Sequence, residues 1–367
     1  MKNPVSMTKL PLKTTYEAWM ETEGVPIVEA VAGIEDLGRV ERRTWARTGG
    51  TGAFIYLKGM QETGLTGMYV MEIPPQGRLE PEKHLYEEII YILDGQGATE
   101  IWQEGKPKRT FEWGKGSLFS PPLNTMHRLY NVSSQPVLYV AVTTAPLVMD
   151  FFHSPEFVFG DSFVFEDRYN GEEDYFKLDQ QIERNPGEHV VWETNFIADL
   201  KNFALDARER PKGKGVRVVG FEMSENTLTG HISEWPVGNY HKAHYHAGGA
   251  ILLGLCSEGY VLLWPKELGT SPYQSGYGDK VVKLHWKEGS VYCPPTDWFH
   301  QHFNTGNVPA RHIAFRTDGA KYKLGLPIRF SGDALMKSIR DGGTIIDYED
   351  EDPAIRRDFE AAIKLAV

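Results

Sequence analysis

Several things are scarce in this 367-residue chain, and each scarcity narrows what it can be. There are two cysteines, Cys256 and Cys293, both in apolar strand-like stretches. That number supports no disulfide framework, and the spacing is not that of a zinc knuckle, so two buried thiols in a reducing compartment are expected. No run approaches the ~18 apolar residues of a membrane helix. The N-terminal "MKNPVSMTKLPLKTTYEAW" has no apolar signal core. Cytoplasmic location without a membrane partner is the expectation. Positive charge is short as well: 39 Lys and Arg against 50 Asp and Glu give a net charge of -11. This argues against nucleic acid as a partner and against anionic membrane surfaces. The glycine-rich "TGGTGAF" near residue 50 lacks the following Gly-Lys-Ser/Thr of a phosphate loop.

What is present is an ordinary globular balance, 41% hydrophobic and 24% charged, in a chain long enough for two domains or one duplicated one. The sequence does repeat. "MQETGLTGMYVMEIPPQG" from Met60 is answered 163 residues later by "MSENTLTGHISEWPVG" from Met223. "GSLFSPPLNTMHRLYN" from Gly116 is answered 173 residues later by "GSVYCPPTDWFHQHFN" from Gly289. The extra residues of the second copy fit the loop "ELGTSPYQSGYGDK", read as an insertion between strands. Short runs such as "GMYVMEI", "EIIYIL", "VLYVAVTT", "YVLLW" and "RHIAFR", punctuated by Gly, Pro and Asn, read as strands. Helices are expected at "TYEAWMETEG", in "WETNFIADLKNFALDARER" from Trp192, and at "DPAIRRDFEAAIKLAV", where Pro353 suits a first helical turn.

These residues resemble the cupin superfamily, and bicupins in particular. The second cupin motif, G-x5-P-x-G-x2-H-x3-N, runs through Gly116, Pro122, Asn124, His127 and Asn131, and again through Gly289, Pro295, Asp297, His300 and Asn304. Asn124 and Asp297 replace the motif's inner glycine. The first motif differs between copies. Copy one has Glu82, His84, Glu88 and Gly95; copy two has His244 and His246, with Ala250 in the glutamate position. The resemblance implies an all-β chain of two jelly-roll barrels with a few peripheral helices. The expected organisation is an N-terminal segment over 1–50, cupin 1 over 51–150, a linker with a helix over 151–214, cupin 2 over 215–320 and a helical tail over 321–367. It also implies a homo-oligomer.

On a strand, residues i and i+2 share a face, so His244 and His246 can aim together into a barrel, with His300 reaching them from another strand. Eight of the twelve histidines fall between His231 and His312. Three imidazoles leave open positions on a metal and suit iron, copper, nickel or zinc, whereas a carboxylate-rich set leans toward manganese or magnesium. In copy one, His84, Glu88 and His127 form a possible two-histidine, one-carboxylate set, with Glu82 adding charge beside it. Trp298 and His302 flank His300 on its face, and small residues at Gly248, Ala250 and Gly254 leave room. Tyr240 and His241 are expected either at the barrel mouth or in a simple loop role. Arg316 shares a face with His312 and Ala314 and, if inward, can clamp a substrate carboxylate; the equivalent residue of copy one is Thr143.

Gentisate and salicylate dioxygenases, and the smaller cysteine dioxygenases, are similar in binding Fe(II) through three histidines without the glutamate. The resemblance therefore implies an Fe(II) dioxygenase acting on a small, anionic, carboxylated aromatic or hydroxy substrate. A non-oxidative cupin lyase, decarboxylase or aminohydrolase and a non-catalytic ligand-binding cupin are the competing expectations.

Overall fold

The computed structural model describes residues 13–183, 190–205, 212–246, 248–317, 319, 321–324 and 337–365. Its strands build the same arrangement twice, an eight-stranded sheet packed on a three-stranded one. In the first copy the large sheet runs Ile27–Ala30, Thr51–Leu57, Gly67–Ile73, Val137–Thr143, Glu88–Asp94, Leu118–Phe119, Phe196–Ile197, with Arg43–Thr44 beside Thr51–Leu57. The small one runs Met126–Asn131, Gln96–Trp102, Arg109–Gly114. In the second, the large sheet centres on Arg217–Glu222, Leu228–Trp235, Ala310–Thr317, Ile251–Cys256 and Val291–Tyr292, and the small one is Val282–Lys287, Glu258–Pro265, Trp298–Asn304. The fold is the expected all-β pair of jelly-roll barrels with a few peripheral helices.

Each barrel borrows a strand. Phe196–Ile197 follows the first copy in sequence and completes its sheet beside Leu118–Phe119. Gly33–Ile34 precedes the first copy and pairs with Val291–Tyr292 of the second.

The central strands are apolar on both faces because each face has its own core. Ile90 and Ile92 line the first barrel, while Ile89 and Tyr91 enter a core shared with the second copy. In the second copy His312 and Ala314 face the barrel interior, and Ile313 and Phe315 face the shared core. Burial on both sides gives a nearly continuous hydrophobic run instead of a clean alternation.

Pairing registers fix which residues correspond. Val140 pairs with Tyr91 and Ile313 with Leu253; both pairs precede a bulge at the same place, between Leu138/Tyr139 and between Gly254/Cys256. Tyr69 pairs with Ala141, and His231 with Ala314. The offset of this strand is therefore 162 residues, not the 163 suggested by the "LTG" match. A one-residue slip exchanges the two faces of a strand. The correction puts His231 on the inner face, in the place of Tyr69.

Two expected helices form: Thr15–Thr22, with a capping box between Thr14 and Glu17, and Pro353–Leu365. The stretch from Trp192 does not form a helix within the described residues. Val190–Thr194 and Phe196–Ile197 are strands because their β-branched and aromatic residues pair with neighbouring sheets; residues 206–210 of that stretch lie outside the described residues. The helices of this region are Ala145–Phe152 and Pro155–Gly160. The inserted loop connects Glu258–Pro265 to Val282–Lys287, as expected, and Tyr273 packs with Ile355 and Phe359 of the C-terminal helix. Cys293 is buried, with its thiol pushed up to about 12, while Cys256 is only half-buried, because it ends its strand. No helix is long and apolar enough to cross a membrane, among the described residues.

Candidate metal centres

In both barrels the second motif sets its histidine by the same local devices. Gly116 and Gly289 have φ of 88° and 81°, where a side chain would strain the backbone. Asn124 and Asp297 take φ of 52° and 61° in place of the motif's glycine. Asn and Asp are the side chains that tolerate this left-handed region best, which explains how the motif survives the substitution. Asn131 Nδ2 donates to the carbonyls of Pro74 (3.0 Å) and Gln135 (2.7 Å); Asn304 Nδ2 donates to those of Pro236 (3.1 Å) and Val308 (2.9 Å). Each asparagine thus pins the strand that carries the histidine.

The first motif is docked on the second by backbone bonds. Glu82 and His127 exchange N–H···O bonds of 3.0 and 2.9 Å; His244 and His300 do so at 3.1 and 2.9 Å. Glu82 therefore stands where His244 stands, as the sequence alignment expected.

In the second barrel, His244, His246 and His300 each present a ring nitrogen, all within 4.8 Å of one another. His244 Nδ1 bonds the Lys242 carbonyl (3.1 Å) and His300 Nδ1 bonds that of Trp298 (3.2 Å). A carbonyl can only accept, so both Nδ1 atoms carry the proton and both Nε2 lone pairs are free for a cation. Burial, with Lys212 and neighbouring imidazoles adding to it for His244, holds His244 and His300 well below the usual histidine range. Neutral imidazole is the form that binds metal.

In the first barrel His84, Glu88 and His127 converge in the same way, all buried and within 4.8 Å. Glu88 Oε2 lies 3.6 Å from Nε2 of each histidine. His84 Nδ1 donates to the Tyr86 carbonyl (2.7 Å) and His127 Nδ1 to that of Thr125 (3.0 Å). Burial raises the Glu88 carboxyl, but the two imidazoles and the Tyr69 hydroxyl, which donates to Glu88 Oε1, bring it below its usual range. His84 Nε2 and Glu88 Oε2 have no hydrogen-bond partner among the described residues. Two orphaned polar atoms facing each other in a core are costly unless something completes them, and a divalent cation fits. Glu82 takes no part in this set: its carboxylate pairs with Arg47, which also binds Glu23 (2.9 Å) and lies against the rings of Trp45 and Phe159. Glu82 thus reaches the centre only as a nearby charge, felt by His127, while its carboxylate is held by Arg47.

The flanking residues fall into three groups. His302 is buried 5.5 Å from the His300 ring, and its Nδ1 meets the Tyr292 hydroxyl at 2.9 Å. That hydroxyl also meets His312 Nδ1 at 2.6 Å, so it donates to one ring and accepts from the other. His241 is inside with them, against Trp235 and His302, and not at the mouth; Tyr240 turns outward to Glu351. Trp298 is half-buried beneath the Lys58 ammonium. Arg316 shares the inner face of His312 and Ala314, opposite Thr229. Gly248 and Gly254 do not leave room for a ligand: a Cβ there would strike Thr296 or the Lys287 carbonyl. Lys212, which sequence reasoning passed over, is tied through its carbonyl to Lys242 N (2.6 Å) and acts electrostatically on His241, His244, His300 and His302. Nothing in its sequence context marks it. A surface cleft lined by Glu35, Glu258, His285 and Lys287 among others includes no residue of either donor set.

Residues 69–143 match the cupin domain family. A tryptophan-to-phenylalanine variant of oxalate decarboxylase from B. subtilis is similar over 93% of this chain and 92% of its own, with TM-score 0.50 and 13% identity. A second variant of Bacillus subtilis oxalate decarboxylase, altered at four consecutive residues, is similar over 89% and 91%, with TM-score 0.49 and 14% identity. Likeness at this identity concerns the fold. No curated protein is matched by the sequence.

Proposed function

We propose that this bicupin is a metal-dependent enzyme with two chemically different centres, and that the three-imidazole centre of the second barrel is an Fe(II) dioxygenase site for a small carboxylated aromatic or hydroxy compound. The observation that carries the reading is the convergence of His244, His246 and His300, with two of the three lone pairs already oriented by backbone carbonyls. Iron bound there would supply the one-electron chemistry that lets dioxygen react with an organic substrate. The protein's own part is binding and orientation. Three neutral ligands leave a divalent ion its full charge, and Lys212 adds another positive charge nearby. An anionic substrate suits such a site. Buried His302 and half-buried Trp298 flank His300 and would contact it, while the aromatic wall around Trp235 and Trp286 excludes water.

A non-oxidative decarboxylase or other lyase is the second reading. It is favoured by the carboxylate-containing set of the first barrel, whose harder donors accept manganese, and by the chemistry named for the similar structures. One assay separates them: oxygen consumption, with carbon dioxide release followed in parallel, across a panel of hydroxybenzoates and small dicarboxylates. Stoichiometric oxygen uptake, lost in His300→Ala, is expected; carbon dioxide release without net oxygen uptake would transfer the function to the second reading.

A further inference from the structure

The segment that leads into the second "LTG" repeat, residues 223–228, lies against the carboxylate donor of the first barrel. Glu87 is buried, and its carboxylate accepts from the Thr227 N–H (2.9 Å), the Thr227 hydroxyl (2.7 Å) and the Leu228 N–H (2.7 Å). Asn226 Nδ2 donates to Ser120 Oγ (2.9 Å), and that hydroxyl donates to the Glu88 carbonyl (2.6 Å). Ser224 Oγ donates to the Ser120 carbonyl (2.7 Å). Ser120, Ser224 and Asn226 are all buried. The turn itself is strained: Ser224 and Glu225 have φ of 52° and 56°. Non-glycine residues keep such a backbone only where their surroundings over-determine it. Asn195 does so here, its Oδ1 accepting from the Ser224 N–H (2.7 Å) while its Nδ2 donates to the Tyr175 carbonyl (3.0 Å). On the Glu88 side chain, Tyr69 holds Oε1, and Oε2 faces both imidazoles at 3.6 Å. The reverse contact also exists. Gly249 stands in the Glu87 position, and its carbonyl accepts from the Thr66 hydroxyl (3.3 Å). That brace ends beside Ala250, which offers a metal nothing.

We infer that Glu87, Ser120 and Asn226 are positioning residues for the first metal centre, through which the turn of the second copy fixes where Glu88 places its carboxylate. The first barrel's affinity for metal is then set in part by the other half of the chain. Contacts that orient a ligand from behind commonly govern metal affinity by about 10–100-fold, because a ligand already in place loses no freedom when the ion arrives. Glu87 and Asn226 face each other across the two copies, so neither can act within one barrel alone. None of the three residues belongs to the second donor set, and the two metals still bind independently. This inference rests on the metal-binding reading of His84, Glu88 and His127.

The test reads metal affinity and not turnover. Co(II) is titrated into the full-length His300→Ala protein, whose second centre is disabled, and followed by its visible absorption. Asn226→Ala and Ser120→Ala, each added to that protein, should weaken Co(II) binding about tenfold and change the band shape. Both act through one hydroxyl, so the double variant should be no weaker than the weaker single one. Glu87→Gln, which keeps the shape but replaces one acceptor oxygen, should weaken binding about threefold. In the His84→Ala protein, which reports the second centre, the same substitutions should change Co(II) affinity by less than about twofold. Parent-like affinity and band shape in Asn226→Ala and Ser120→Ala would overturn the inference. Equal losses at both centres would overturn it too, since the contacts would then be general packing. If an alanine variant fails to fold, Glu87→Gln decides by the same criteria. Absence of any Co(II) binding that His127→Ala abolishes would instead overturn the metal reading of the first barrel, and this inference with it.

Discussion

The two barrels share a register, a bulge, a docked first motif and an asparagine pin, yet they have diverged at the ligand positions in opposite directions. The first kept its glutamate and exchanged its first histidine for Glu82; the second kept all three histidines and exchanged the glutamate for Ala250. The consequences differ in kind. Glu82 is neutralised by Arg47 and anchored among aromatic rings, so the first barrel's change is absorbed into its packing. In the second barrel the glutamate position holds Ala250, and three imidazoles converge without a carboxylate in the donor set. One scaffold thus carries a two-histidine, one-carboxylate donor set and a three-histidine one.

The largest effect that sharpens this contrast is expected at Ala250. Ala250→Glu should keep metal in the second barrel but reduce turnover about 100-fold, because the new carboxylate takes the substrate's position; kcat together with metal content checks it. Full activity with metal retained would end the distinction between the three-histidine and the carboxylate-containing centres. Next comes Arg47→Ala, which strands Glu23 and Glu82 with little access to water. It should cost about 3 kcal/mol in urea unfolding, with the loss centred on the first barrel. An unchanged midpoint would mean that Glu82 is not held as described.

Acid should separate the barrels by smaller amounts. Burial depresses His241 well below its ordinary range and His312 to about 3. Unfolded histidines take up protons near pH 6.5, whereas these folded ones do not. Their contribution is therefore complete above about pH 6.5 and is lost as pH falls below it. In the first barrel His127, lowered by burial and by His84, adds to the loss below about pH 6.5, but there it is one such group against His241, His244, His300, His302 and His312 in the second. Glu88, also depressed, gives up its contribution only below the ordinary carboxylate range. Chelator-treated protein should lose second-barrel stability first on acidification, followed by tryptophan fluorescence, since Trp235 and Trp286 report on that barrel. Simultaneous loss would remove this asymmetry. The smallest change is Tyr292→Phe, which removes the hydroxyl between His302 and His312. A stability loss of about 1–2 kcal/mol is expected by thermal unfolding, with metal content intact; loss of metal would make Tyr292 part of the centre's support.

Much of this was legible in the sequence because the informative residues sit in motifs whose spacing reflects strand geometry. His127 and His300 were marked by the glycine, proline and asparagine around them, and both donor sets followed. The repeat offset was misplaced by one residue because "LTG" is a local identity, whereas correspondence is set by pairing with a third strand. His231 was consequently overlooked. The Trp192 stretch was read as helical from its composition, but its role is to lend strands to both barrels, which only tertiary pairing reveals. Arg47 and Lys212 lie in no motif, and their proximity to the sites is created by the fold alone.

The central claim is that both donor sets hold metal and that they do so independently. Elemental analysis of protein purified without chelator tests it most directly, on the wild type, His84→Ala and His300→Ala. The account predicts about two equivalents of metal per chain in the wild type and about one in each variant, as expected from losing one ligand of an open site. A wild type with no stoichiometric metal, or a variant that keeps the full complement, would contradict it.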